Sequence, residues 1–195
     1  MVATQNVIDQ EKMAVILQEV VGTQYGDRFY PHLSGVARSV NYYPIGDEQA
    51  EEGVANLAVG LGKYIVDGGL SLRISPAHPD KVLQTSEIEL ALRETQTRFY
   101  ALDLKNVFSG EGRVEGGEKS GEKSGEKRLS VDDGFNLLRL SVREADRDGA
   151  LQNLASTYDP QDQIIRDGIY EGGRKVISFT GVLQHGVFPL PEILQ

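Results

Sequence analysis

Cysteine is absent from this chain of 195 residues. Disulfides, thiolate catalysis and zinc or iron–sulfur sites held by cysteine are therefore excluded. Positive charge is also scarce, since 20 Lys and Arg face 29 Asp and Glu and leave a net charge of -9. This balance argues against non-specific binding to nucleic acid, which requires a basic face that displaces phosphate counterions. A nucleotide remains compatible with it, because a few backbone N–H groups and cations suffice to hold phosphate.

Long hydrophobic runs are missing as well. No stretch approaches the ~20 consecutive apolar residues that a membrane-spanning helix requires. The first residues, 1–13, contain neither the basic segment nor the apolar segment of a secretory signal. We therefore expect a cytoplasmic protein with no membrane partner.

Familiar catalytic and metal-binding patterns are not found either. The three histidines, His32, His78 and His185, are far apart and lack metal-ligand spacing. There is no P-loop of the G-x-x-x-x-G-K-[ST] form and no G-x-S-x-G nucleophile motif. The paired carboxylates at 51–52 and 132–133 lie in polar stretches, where a surface role is the simpler interpretation. The sequence thus identifies no catalytic residue and no metal ligand.

The apolar pattern nevertheless predicts regular elements. Residues 13–21 are rich in β-branched and apolar side chains and predict a buried strand that stops at Gly22. A second β-rich run covers 28–43. Apolar residues at helical spacing predict an amphipathic helix over 54–61, and 61–67 fits a helical turn.

Further elements are predicted in the second half of the chain. Residues 86–89 (S-E-I-E) fit a capping box that starts a helix. Strands are predicted over 98–104, 136–142 and 176–183, with a polar stretch and turns between the last two. Residues 189–195 resemble a short helix, so the chain looks cut inside an element.

Residues 109–130 have almost no apolar side chains. The tetrapeptide G-E-K-S occurs at 117–120 and again at 121–124. Such a composition buries too little surface to offset the entropy of ordering, so it predicts a disordered surface loop.

Three short motifs follow one another along the chain. They are Q-E-V-V-G at 18–22, S-G-V-A-R-S at 34–39 and G-L-G-K-Y-I-V-D-G at 60–68. In this order and spacing they resemble the ATP-binding domain of the phosphoenolpyruvate synthase and pyruvate phosphate dikinase family, most closely its long phosphoenolpyruvate/pyruvate-binding-domain proteins. The resemblance is densest over 13–76 and weaker beyond.

The resemblance implies an α+β fold, part of an ATP-grasp domain with a mostly antiparallel sheet and a few helices. Residues 1–108 would form its nucleotide-binding portion, 109–130 the loop, and 131–195 a continuation truncated at its C-terminus. The parent protein would transfer phosphoryl groups from ATP to pyruvate through a phosphohistidine on a domain outside this chain. The implied partners are the nucleotide and the remaining domains.

The resemblance also implies ATP and Mg²⁺ as cofactors, and it implies which residues contact the nucleotide. Gln18 and Glu19 would lie at the adenine edge, and glycines would bring backbone close to the phosphates. The full implied nucleotide-binding set is Gln18, Glu19, Val21, Arg38, Gly60, Gly62 and Lys63. A plain strand with an exposed polar pair and a glycine-rich start of a helix are the structural alternatives for these motifs.

Two departures from the family pattern bear on mechanism. Lys63 and Asn56 stand where the family carries carboxylates for metal and phosphoryl chemistry. Magnesium ligands are therefore not identifiable in this chain. Two other hypotheses stay open beside the phosphotransferase portion: a nucleotide-binding or regulatory module without catalysis, and an inactive truncated fragment.

The composition of the predicted loop gives a first test. Deletion of 109–130 should leave the melting temperature nearly unchanged, because its side chains have nothing to pack against. Thermal unfolding of the deletion variant and the full chain, followed by circular dichroism, checks this. A loss of several degrees would mean that the segment packs on the folded body.

Overall fold

The computed structural model describes residues 14–105 and 136–194. The segment 109–130, for which a loop is predicted, lies outside these residues. Ten strands, five short α-helices and two 3-10 helices, at Ala50–Glu52 and Leu83–Thr85, are found in the described part of the chain. Every strand pairing in it is antiparallel. The fold is thus mixed α+β with antiparallel sheets and few helices, as the sequence predicts at this level.

The strands form three sheets. The first has the order β1-β2-β6-β7, with β1 at Gly22–Tyr25, β2 at Arg28–Pro31, β6 at Arg98–Asp103 and β7 at Leu137–Ser141. The second has the order β3-β4-β5, with β3 at Ser34–Arg38, β4 at Val54–Ala58 and β5 at Leu72–Ile74. The third has the order β10-β8-β9, with β8 at Ala155–Asp159, β9 at Ile164–Asp167 and β10 at Arg174–Ile177.

The helices are short and lie at the ends of strands. They are α1 at Lys63–Val66, α2 at Ile88–Glu94, α3 at Val142–Arg147, α4 at Thr180–Leu183 and α5 at Leu190–Leu194. None of the helices in the described ranges is long and apolar enough to span a bilayer.

One core joins the three sheets. Phe99 from the first sheet, Ile74 from the second and Ile177 from the third belong to the same buried cluster. The rings of Tyr30 and Phe99 meet edge to face, with centroids 5.2 Å apart. The Tyr30 hydroxyl donates a hydrogen bond of 2.6 Å to Asp148. Burial, and then this bond, raise the pKa of Tyr30 to about 12, so the hydroxyl stays a donor at neutral pH.

Several sequence predictions are confirmed. The strand predicted over 98–104 is β6, and that over 136–142 is β7. The helical turn at 61–67 contains α1, and the short helix near the end is α5. The β-rich run 28–43 contains β2 and β3.

The strand predicted over 13–21 is wrong for the residues that the structure describes. Residues 14–21 lie outside any strand, and Val15, Ile16 and Leu17 are 78%, 83% and 92% exposed. A strand requires a neighbour that pairs with its N–H and C=O groups. The first sheet begins only at Gly22, which is paired with Pro31.

The helix predicted over 54–61 is also wrong, because these residues form β4 and the turn after it. Ala55, Leu57 and Val59 alternate into the core, which is the period of a strand. β4 pairs with β3 on one side and β5 on the other, so both its edges are satisfied. Gly60 then has a φ of 86°, which ends the strand and is incompatible with a helix.

Three smaller predictions need correction. The S-E-I-E capping box is not formed: α2 has Glu87 at its N-cap with no side-chain cap. The strand predicted over 176–183 ends at Ile177, because Phe179 has a φ of 52° and reverses the chain into α4. The polar stretch before it holds α3, β8 and β9, which the sequence analysis missed.

A partly buried ion pair anchors the loop between β3 and β4. Arg73 donates to both carboxylate oxygens of Glu48, at 2.9 and 2.6 Å. Asn41 and the Ile45 N–H also donate to Glu48. These bonds, with that of Arg73 the largest effect, lower the pKa of Glu48 from 4.5 to about 2. The loop therefore depends on an ionised Glu48.

Neutralising Glu48 should weaken the fold. Because a carboxylate that accepts charged hydrogen bonds contributes roughly 1.5–3 kcal/mol, Glu48→Gln should lower the unfolding free energy at neutral pH by about 2 kcal/mol. The native pKa lies below the unfolded one, so this contribution is present above pH 4.5 and is lost as the pH falls toward about 2. Urea unfolding at several pH values measures it.

Asp47→Asn is the matched control, because the Asp47 side chain is 87% exposed and pairs with Lys81 only at 3.5 Å. Its cost should stay within about 0.5 kcal/mol. If Glu48→Gln were as stable as the control, and lost as much stability on acidification as the wild type does, the anchoring role of Glu48 would be refuted.

Candidate functional site

Two of the three sequence motifs are joined by a hydrogen bond. The Ser34 hydroxyl, at the start of β3, donates to the carbonyl of Gly60. Gly62 lies next to it, and a Cβ added to Gly62 would stand 3.6 Å from the Cβ of Ser34. The S-G-V-A-R strand and the glycine turn therefore meet at Ser34, although 26 residues separate Ser34 from Gly60 in sequence.

Gly60 fits between the first two sheets only because it lacks a side chain. An added Cβ would lie 2.6 Å from the carbonyl oxygen of Tyr100 and 2.9 Å from the Phe99 ring. The N–H of Leu61 donates to the same Tyr100 carbonyl at 3.0 Å. The turn is thus held against β6 by backbone contact, which fixes its position.

Lys63 is part of a polar cluster on the surface behind this turn. Its ammonium lies 3.1 Å from a carboxylate oxygen of Asp67 and 5.9 Å from the centroid of the Tyr100 ring. The Tyr100 hydroxyl donates to Asp67 at 3.1 Å. The hydrogen bond from Lys63 lowers the pKa of Asp67, which keeps the carboxylate ionised. Lys63 is therefore a cation partly neutralised by its own helix.

A cavity of about 790 Å³ is lined in part by β3. We call it the apolar cavity. Its lining includes Val21 and residues 34–37 from the first half of the chain, and Leu154, Val182 and Phe188 from the second half. Polar groups in its lining include Thr23 and His32, whose side chains are hydrogen-bonded at 2.7 Å. It is a mostly apolar space with a few polar groups, as small-molecule sites are.

The part of the lining that comes from the second half of the chain was not found by sequence reasoning. It lies in the segment 149–154 and in 182–194, which carry no recognised motif. A strand prediction covered α4, so its apolar residues were assigned to a sheet. The apolar run V-F-P-L at 187–190 was the one available signal, and it indicates burial rather than binding.

A second, more polar cavity of about 450 Å³ shares Gly149, Gln152 and Asn153 with the apolar cavity. We call it the polar cavity. Its lining includes the carboxyl residues Asp146 and Asp167 and the imidazole of His185. No group of three or more acidic, histidine or cysteine side chains in the described ranges is close enough to hold a metal ion.

The predicted site residues are distributed unevenly around these features. Val21 lines the apolar cavity. Gly60, Gly62 and Lys63 lie beyond Ser34, outside the linings of both cavities. Arg38, at the far end of β3, is exposed and outside both linings too.

Gln18 and Glu19 belong to the exposed segment 14–21 and line neither cavity. The structure therefore brings Val21, β3 and the glycine turn together, but not the proposed adenine-edge pair.

Magnesium does not fit the residues at the glycine turn. Lys63 offers an ammonium, and Asn56, which pairs with Val36 and Arg73 across the second sheet, offers an amide in place of a carboxylate. Hard divalent cations require several oxygen ligands, usually with carboxylates among them. The described part of the chain supplies no such set.

No family model, curated protein or solved structure matches this chain.

The close approach at Gly60 gives a test of the turn. Gly60→Ala should destabilise the protein more than Gly68→Ala, although both glycines have a positive φ, of 86° and 78°. A Cβ at Gly68 meets no atom within 4 Å, so that variant reports backbone strain alone, about 1–2 kcal/mol. Gly60→Ala should lose a further ~1–3 kcal/mol from the clash with Tyr100. Equal losses in chemical denaturation would show that the turn can shift away from β6.

Proposed function

We propose that this chain forms part of the nucleotide cleft of a phosphotransferase similar to phosphoenolpyruvate synthase and pyruvate phosphate dikinase, on a partial ATP-grasp fold. The observation that carries the proposal is that Val21 and residues 34–37, from two separate motifs, line one cavity of about 790 Å³. The third motif is joined to this lining by the hydrogen bond from Ser34 to Gly60.

The apolar cavity has the chemistry that an adenine ring requires. A purine is flat and largely apolar on its faces, and its edge needs only a few hydrogen-bonding partners. Val36 and Leu154 offer apolar surface, and Thr23 and His32 offer polar atoms near it. In this proposal the base occupies the cavity beside Val21, whereas Gln18 and Glu19 lie in the exposed segment before it and do not line the cavity.

The phosphates would extend toward the glycine turn. Gly62, which is only partly buried, has no side chain that blocks the approach of a ligand, and Lys63 lies directly after it. Its ammonium would exchange part of its contact with Asp67, at 3.1 Å, for phosphate oxygens. A lysine can neutralise phosphate charge in this way, but it cannot ligate magnesium.

Phosphoryl transfer would then depend on groups outside this chain. The reaction needs metal-bridged phosphates and cationic groups that stabilise the transferred phosphoryl group. The described residues contain no metal-holding cluster. The metal ligands, the phosphorylated histidine and the pyruvate site would come from the remaining domains of the parent protein.

A non-catalytic nucleotide-binding or regulatory module is the second candidate. The ion pair between Lys63 and Asp67 favours it, because the Asp67 carboxylate already binds the Lys63 ammonium instead of a metal ion. Such a module would bind the nucleotide without phosphoryl transfer. An inactive truncated fragment is the third candidate, and it would bind no nucleotide.

Titration with Mg-ATP separates these candidates. We expect weak, millimolar binding by the isolated chain and no phosphoenolpyruvate-forming activity with pyruvate, because the cleft is incomplete. Val36→Trp should abolish this binding by filling the apolar cavity. Ile164→Trp, at a partly exposed position of β9 outside both cavities, should bind as the wild type does. Nuclear magnetic resonance titration and a coupled assay measure the two properties.

Each outcome bears on one part of the proposal. No chemical-shift change with millimolar Mg-ATP would favour the inactive fragment. Binding that Val36→Trp leaves intact would move the nucleotide out of the apolar cavity. Micromolar affinity or measurable turnover by the isolated chain would show that the chemistry resides here, and Lys63→Ala and Glu19→Ala would then identify its residues.

A further inference from the structure

The polar cavity is a separate feature that the proposed nucleotide site does not use. It lies between α3, the turn that follows it, the end of β9 and the start of α4. Its volume of about 450 Å³ is within the range of small-molecule sites, about 300–1,000 Å³. The question is which class of ligand its lining would recognise.

The Asp167 carboxylate is hydrogen-bonded to a buried network of hydroxyl groups. The buried Ser156 hydroxyl donates to it at 3.3 Å. Ser156 in turn is hydrogen-bonded to Ser178 at 2.7 Å, and Thr180 donates to Ser178 at 2.8 Å. Three buried hydroxyls are thus linked to the Asp167 carboxylate. The nearest cationic group, His185 Nε2, lies 3.8 Å away and is charged only when protonated.

Asp146 is also incompletely compensated. Its nearest cation is Lys175, with 3.9 Å between the ammonium and a carboxylate oxygen. The ammonium of Lys175 donates its hydrogen bonds to the carbonyls of Tyr170 and Gly172, at 2.5 and 3.0 Å. The carboxylate of Asp146 thus faces a cation beyond hydrogen-bonding distance and keeps its capacity to accept.

The two carboxylates do not form a metal site. Asp146, Asp167 and His185 line one cavity, yet no three such side chains in the part of the chain described here are close enough to share an ion. A ligand of several atoms can contact groups that are too far apart for one ion. Ligand atoms that contact the two carboxylates must be donors, because an ionised carboxylate only accepts, whereas Gln152 and Asn153 can both accept and donate.

We propose that the polar cavity binds a small organic dication, with one cationic group at Asp146 and the other at Asp167. Charge-assisted hydrogen bonds to carboxylates are the strong ones, and a guanidinium carries several donors in one plane. The net charge of -9 raises the local concentration of cations at the surface. This inference goes beyond the nucleotide site and does not depend on it.

Agmatine, which carries an ammonium and a guanidinium group, is the probe for this proposal. Titration of the full chain at low ionic strength and about pH 8, where an ordinary imidazole is uncharged, should give saturable binding. Asp146→Asn and Asp167→Asn should each weaken it by at least about tenfold, the effect of losing a charge-assisted hydrogen bond. Asp162→Asn, an exposed carboxylate outside the cavity, is the matched control and should bind as the wild type does.

The variants are chosen so that folding does not obscure the result. Asn at 167 keeps an oxygen that accepts the bond from Ser156, and Asp146 has only the distant contact with Lys175 to lose. Melting curves of each variant verify the fold. N-Butylurea, a neutral relative of the guanidinium end, should not bind, and Mg-ATP should not compete for this cavity.

Three results would overturn the proposal. Absence of saturable agmatine binding to the wild type removes it directly. If agmatine binding is weakened equally in Asp162→Asn, binding depends on the overall surface charge and not on the polar cavity. N-Butylurea binding as tightly as agmatine, or magnesium chloride alone giving the same response with the same dependence on Asp146 and Asp167, assigns the cavity to a neutral ligand or to a metal ion.

Discussion

The structure depends on the amide of Gln96, which joins the second sheet to the first. Its carbonyl accepts from the N–H of Val59 at 2.8 Å, and its NH₂ group donates to the carbonyl of Val59 at 3.0 Å. Gln96 is only 3% exposed, so both bonds are made away from water. Buried backbone groups without such partners are costly. This side chain therefore completes the end of β4 where strand pairing stops.

The glycine turn follows from that junction. With Val59 held by Gln96, the chain must turn at Gly60 directly against β6, where only a residue without a Cβ fits. Leu61 then bonds to Tyr100, and Ser34 reaches the Gly60 carbonyl from β3. The position of Lys63 is thus set by the Gln96 side chain in the core together with the close packing of Gly60 on β6.

Local sequence patterns correctly predicted those strands and helices whose pairing and burial match the spacing of their apolar residues. β6 is an example, since its apolar run is buried between two neighbouring strands. Residues 14–21 have an equally strong β pattern, but the described chain provides no strand beside them, and their apolar side chains stay exposed. Propensity alone cannot supply a pairing partner. The apolar residues of β4 fit both a helical and a strand period. Pairing with β3 on one side and β5 on the other determined that the segment is a strand.

The candidate site was predictable only where a motif lies in one stretch of sequence. The S-G-V-A-R strand and the glycine turn were identified in that way. A capping box was assigned at 86–89, whereas it forms at Ser141 and Glu144, where S-V-R-E has the same signature. The cavity walls from α4 and α5 were missed, because their residues come together through tertiary packing rather than through spacing.

The turn at 149–153 connects the two cavities physically. Gly149, Gln152 and Asn153 line both, so ligands in the two cavities would contact the same short segment. Asn153 has a φ of 64°, and Gly181 of α4 packs so closely that an added Cβ would lie 2.6 Å from the Asn153 Cβ. The segment therefore cannot move toward α4 without displacing that helix. Since α4 also contributes Val182 to the apolar cavity and Thr180 to the polar one, a displacement of either element alters both linings at once.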